Sequence, residues 1–251
     1  MPFADPWVYA VAALAVLLTG ISKGGFGAGL GALGVPLLAL IMSPVQAAAV
    51  MLPVLCTMDL IGFRAYFGKW DKGNLRVMLP GACVGIAAGA MGAGFLGDRW
   101  IRLVIGALSI CFVLVDACSL VGTAQAKPYS AKKGFALSCV SGFASFVAHA
   151  GGPPAMIHLL PQRLEKDVMI GTTNAFFLIV NGIKLVPYAW MGQFDLANLR
   201  LSLILVPLVP IGVWSGMWLQ RHVSVRVFYR ISQVSLFIAG AQLIVQASAA
   251  P

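Results

Sequence analysis

The sequence predicts an all-α integral membrane protein made of two inverted repeats of five apolar segments each. Three observations carry that prediction: an apolar composition, a collinear series of matches between the two halves, and a lopsided distribution of positive charge over the loops.

Composition comes first. Sixty per cent of the 251 residues are hydrophobic, 10% are charged and the mean hydropathy is +0.91, whereas a soluble domain carries about 25% charged residues. Apolar runs recur from Pro6 onward with no long hydrophilic block between them, so a single membrane domain over 1–251 is expected, with lipid as its solvent. The opening MPFADPW carries an acid and no Lys or Arg. It therefore lacks the basic n-region of a cleavable signal peptide, and the first segment is expected to be retained. Cys56, Cys83, Cys111, Cys118 and Cys139 fall inside apolar runs without CxxC or Cys/His spacing. They read as packed thiols, not disulfides or zinc ligands, and no metal or other cofactor is expected. The net charge of +9 sits in short loops, where it serves orientation and not nucleic-acid binding.

The repeat is legible in two places. GKWDKGNLR at 68–76 matches GQFDLANLR at 192–200 with a constant offset of 124, from Gly68 to Gly192. The same offset carries Leu79 onto Leu203, Gly92 onto Gly216 and Arg102 onto Arg226. With a shift of two residues, GISKGGFGAG from Gly20 falls on GFASFVAHAG from Gly142. Repeat one is then 1–125 and repeat two 126–251.

Each repeat divides into five segments. In the first they are 6–22, 28–42, 44–67, 74–96 and 100–122; in the second, 134–149, 153–161, 167–190, 198–219 and 224–247. A full crossing needs about 20 residues. The last three of each repeat reach that length, while the first two are short or re-entrant around a Gly-rich loop, giving eight to ten membrane segments. An odd number per repeat inverts the second half. Placing the loop after the third segment in the cytoplasm puts eleven basic residues inside and three outside, with Lys23, Arg64 and Lys184 left within segments. The positive-inside rule thus favours an inverted repeat with both termini outside.

The stretch GISKGGFGAGLGALGVP, Gly20 to Pro36, is the most informative. Irregular backbone at membrane depth is tolerated only where protein or a wet cavity covers it. Short, glycine-interrupted segments at matching places of two repeats point to a transporter's binding site. Gly24, Gly25, Gly27, Gly29 and Gly31, opposite Ala150-Gly151-Gly152-Pro153-Pro154, are expected to form two loops meeting near the midplane. Each precedes a helix whose N-terminus offers unpaired N–H donors, a ready anion site. Lys23 adds a full charge, at about 2.5 to 3.5 kcal/mol if it lies at mid-helix depth. The alternatives are close helix packing by small residues and a snorkelling lysine.

SKGGFGAGLGALGVPLL in the first half and SGFASFVAHAGGPPAMIHLLP with MIGTTNAFFLIVNGIKLVPY in the second resemble the sulfite exporter TauE/SafE family over nearly the whole chain. The resemblance implies a secondary transporter of sulfite, thiosulfate or organosulfonates in a bacterial cytoplasmic (inner) membrane, a small anion being the shared substrate. Ala148-His149-Ala150 departs from the Gly-rich sequence usual in the family, which leaves the individual substrate open.

Other polar groups inside the segments add candidates. Asp59 and Lys184 suit a coupling or gating role, Asp59 as a proton or Na⁺ site or as a partner for a lysine such as Lys184. Asn174 and Asn181, seven apart on one helix face, suit hydrogen bonds to sulfonate oxygens or glue between helices. His149, at the tip of the second loop, is placed to line the site. Phe26 and Trp190 are candidates for closing over a substrate, although aromatics at helix ends also anchor at interfaces. The substrate-binding set is therefore Lys23, Gly24, Gly25, Gly27, Gly29, His149, Gly151, Gly152, Asn174 and Asn181. An uncoupled anion channel is the alternative function. An enzyme is not expected, since HExxH, GxSxG and paired carboxylates within one segment are all missing from the sequence.

Overall fold

A computed structural model describes residues 6–26, 33–93, 97–119, 129–222 and 225–249. All regular structure among them is helical. In chain order the helices are α1 (Pro6–Ile21), α2 (Gly34–Ala39), α3 (Pro44–Ala65), α4 (Lys72–Ala93), α5 (Asp98–Ser119) and α6 (Ala131–Ala148). They continue with α7 (Gly152–Leu159), α8 (Lys166–Trp190), α9 (Leu196–Leu205), α10 (Leu208–His222) and α11 (Val225–Ala249). A π-helical turn, Ser22–Phe26, extends α1, and a 3₁₀ turn, Leu160–Gln162, follows α7.

Among the described residues, four stretches are long and apolar enough to cross a membrane: Pro6–Gly24, Pro44–Ala65, Lys72–Gly92 and Asp167–Trp190. Two departures from expectation follow. The first segment is not short, because the helix continues through the glycine motif as a π turn and reaches 19 residues. The segment over 198–219 is not one straight helix: it breaks into α9 and α10, bent by 41°. Pro207 lies at that break, where its ring and missing N–H interrupt the ladder. If the bent pair counts as one span, the crossings number five.

The matched motifs have local causes. Gly68 (φ +80°) and Gly192 (φ +69°) both adopt the left-handed conformation that glycine takes without strain. Asp71 accepts from the Asn74 N–H at 2.6 Å and Asp195 from the Asn198 N–H at 2.7 Å, so each aspartate caps the helix it precedes.

Packing pairs the helices across the halves. α4 lies along α6 and α1 along α10; α3 meets α8, and α5 meets α11. Glycines set the closest approaches. A Cβ on Gly85 of α4 would stand 1.9 Å from the Cys139 carbonyl of α6, and one on Gly216 of α10 would stand 2.3 Å from that of Ile21. The core between them is Leu, Val, Ala and Met from α1, α2, α3 and α8. Cys56, Cys83, Cys111 and Cys139 are free thiols within it or on its lipid-facing side.

Candidate functional site

The site lies where the π turn, α3, α6, α7 and α8 converge. α3 starts with Ser43 accepting from the Gln46 N–H and runs unbroken past Pro53, which places Asp59 four turns in. α8 likewise carries Asn181 and Lys184 in its middle, one turn apart. α6 ends at His149, whose left-handed φ of 51° turns the chain sharply into α7. That turn is held by the Ser141 hydroxyl donating to the Gly151 carbonyl at 2.6 Å.

Two lysines, half-buried Lys23 in the lining of one small cavity and buried Lys184 just behind it, have different partners. Lys23, 12% exposed, donates to the carboxylate of Asp59, itself 1% exposed. The Asn181 amide donates to the other carboxylate oxygen, so both oxygens are occupied. The Lys23 ammonium also stands 5.7 Å above the Phe177 ring. Lys184 is fully buried. It donates to the Ser145 carbonyl (2.8 Å), the Ser145 hydroxyl (2.9 Å) and His149 Nδ1 (2.6 Å), three neutral acceptors for three N–H directions. Among the described residues no carboxylate is in contact with it. His149 Nε2 faces the Ala48 carbonyl at 2.9 Å, and Nδ1 faces both the Lys184 ammonium at 2.6 Å and the Ser145 carbonyl at 3.1 Å; with the ring hydrogen on Nε2, Nδ1 is the acceptor for Lys184.

The cavity between these groups has a volume of about 10 Å³ and is lined by Lys23, Ser145, His149, Asn181, Phe177 and the α7 residue Gly152. That is close to the least that holds one water molecule. The ring of Tyr188 lies parallel to that of His149 at 6.2 Å, and its hydroxyl donates to the Phe146 carbonyl at 2.7 Å. Beyond this layer lies a second, apolar cavity of about 50 Å³, bordered by Ala48, Phe146, Tyr188, Pro44 and Met191.

Several of the residues singled out by the sequence thus come together: Lys23, Asp59, His149, Gly152, Asn181 and Lys184. The partnership of Asp59 with Lys184 does not form, because Lys23 and Asn181 already occupy the carboxylate. Gly24 faces away from the cavity, where a Cβ would stand 2.2 Å from the Val213 carbonyl of α10, so close packing with that helix requires it. Gly151 is likewise closed in by Ser141 and Ser145. Gly25 belongs to the π turn, and its surroundings lie outside the described residues. Asn174 packs on Gly62 of α3 and does not line it either. Trp190 is 90% exposed and covers nothing. Gly27, Gly29, Gly31 and the side chain of Phe26 lie outside the described residues. Among the described residues α7 alone brings a helix N-terminus to the cavity; α2 begins against Thr19 and Met51.

Sequence reasoning misses Ser145 and Phe177. Ser145 has a signal, since the aligned glycine motifs set it opposite Lys23; Phe177, one phenylalanine among 14, has none.

A model of the sulfite exporter TauE/SafE family matches residues 12–243. The chain belongs to that family, whose members are membrane proteins exporting sulfur anions. No curated protein and no solved structure matches the chain significantly.

Proposed function

We propose that this TauE/SafE family member is a secondary transporter that carries small sulfur-containing anions, sulfite, thiosulfate or an organosulfonate, across the cytoplasmic membrane by alternating access. The observation that carries the reading is a small cavity at the junction of the two halves that Lys23 lines and that Lys184 adjoins through its bonds to the lining residues Ser145 and His149. Buried cationic groups in a membrane domain are costly and mark substrate paths. An anion beside them offsets that cost. Gly152 adds its own N–H at the start of α7, where Pro153 and Pro154 have none, and the Asn181 amide and Ser145 hydroxyl supply neutral hydrogen bonds of the kind sulfonate oxygens accept.

Alternating access rests on the packing pattern. α4 with α6 and α1 with α10 are the same pairing once the halves are exchanged, and α3 with α8 and α5 with α11 map onto themselves. Such exchange is what a pseudo-twofold between two inverted repeats produces. The cavity, hardly larger than a water, fits a carrier better than an open pore. Lys184 and Asp59 lie on the α8 and α3 surfaces that would slide when the halves rock.

The test is counterflow. Proteoliposomes preloaded with unlabelled sulfite, thiosulfate, taurine or chloride are assayed for uptake of radiolabelled sulfite. A carrier shows saturable uptake stimulated only by transported internal anions. Flux that ignores the internal anion and does not saturate would establish the channel instead, and no flux at all would refute sulfur-anion transport.

A further inference from the structure

We infer that Asp59 sets the charge of the cargo: by neutralising Lys23 it leaves the site one positive charge, at Lys184, and so selects monoanions over dianions. The inference rests on the anion-transport reading above and adds to it a selectivity residue. Three charged side chains lie at the cavity or one contact behind its lining: Lys23 lines it, Asp59 is paired with Lys23, and Lys184 is bonded to the lining residues Ser145 and His149. Lys23 and Asp59 form a contact ion pair, with Asn181 completing the carboxylate's bonds, so their charges cancel where they stand. Lys184 has only neutral partners, and His149, accepting through Nδ1, is itself neutral in this arrangement. The sum around the cavity is therefore +1.

In a poorly screened interior a bound ion is favoured when its charge completes the neutrality of its surroundings. A bisulfite or sulfonate monoanion does so. A dianion of the same tetrahedral shape leaves one negative charge unmatched within a few ångströms of the Asp59 carboxylate. Shape does not separate the two classes, because the S–CH₃ of methanesulfonate and the S–S of thiosulfate occupy similar volumes.

The experiment measures displacement of bound radiolabelled sulfite from the purified, intact protein by methanesulfonate, a fixed monoanion, and by thiosulfate, a fixed dianion, at one pH. In the wild type methanesulfonate should displace at a concentration about tenfold or more below that of thiosulfate. Asp59→Asn raises the site to +2 and should reverse the order. The double variant Lys23→Gln/Asp59→Asn restores +1 without the ion pair and should restore the wild-type order. Lys23→Gln alone brings the site to zero and should weaken both anions by about tenfold or more. Should Asp59→Asn fail to fold, the last two variants still decide the matter. Equal displacement by both anions in the wild type, an unchanged order in a folded Asp59→Asn, or a double variant that favours thiosulfate would each overturn the assignment. If neither anion displaces label and sulfite itself does not bind to the wild type, the sulfur-anion reading fails, and this inference with it.

Discussion

In both halves the first long segment meets the third, and the two meetings follow opposite charge logic. The shift that aligns the glycine motifs, Gly20 onto Gly142, sets Lys23 opposite Ser145 and Asp59 opposite Asn181. In the first half the contact is an ion pair, lysine on the first segment and aspartate on α3. In the second half the lysine stands on α8, and the first segment answers it with a serine and a histidine. The place of the contact is thus kept while its chemistry diverges. One half compensates its charge internally; in the other, Lys184 meets only neutral partners among the described residues.

The difference predicts unequal responses to removing a charge. Asp59→Ala strands Lys23 and should cost about 3–5 kcal/mol of stability, the cost of breaking a buried pair. Lys184→Met removes a buried charge that has no counter-ion, so thermal melting should stay within about 1 kcal/mol of wild type or rise. Equal losses for the two would erase the distinction.

The helix seams should behave alike where the charges do not. Gly85→Ala at α4–α6 and Gly216→Ala at α1–α10 each drive a methyl into a backbone carbonyl, and each should cost about 1–3 kcal/mol by overpacking. Loss at one seam and indifference at the other would show that the halves do not share their packing. The capping aspartates offer a finer comparison. Asp71→Ala and Asp195→Ala should cost about 1 kcal/mol apiece, read as matched shifts in melting temperature.

The smallest effect belongs to the exposed pair Lys69–Asp167, 2.7 Å apart. The Asp167 carboxylate raises the Lys69 ammonium above the ordinary lysine value. Its slight contribution is fully present below that ordinary value and is lost as pH climbs through the raised one. Salt should remove most of it as well.

What the sequence disclosed follows a physical division. The GxxDxxNLR matches are legible because their causes are local: a glycine at positive φ and an aspartate bonding to the N–H three residues on. Lys23, Asp59, Asn181 and Lys184 stand out because polar groups in apolar runs need a reason. Their pairing does not, since spacing along the chain says nothing of which helix faces which, and Asp59 meets Lys23 where Lys184 was equally eligible. Prolines give a mixed signal. Pro53, Pro80 and Pro187 sit inside continuous helices, whereas Pro207 marks a break. A proline frees the carbonyl four residues before it, and nearby groups can re-satisfy that carbonyl. Whether a neighbour does so is a tertiary fact.

The central claim is that the charge left without a counter-ion at Lys184 holds the anion. Binding of radiolabelled sulfite to the purified protein, wild type against Lys184→Met, tests it most directly, with thermal melting recorded on the same samples. The account predicts loss of binding by about 100-fold, roughly 2.7 kcal/mol, at an unchanged or higher melting temperature. A folded Lys184→Met protein that binds sulfite as the wild type does would contradict it.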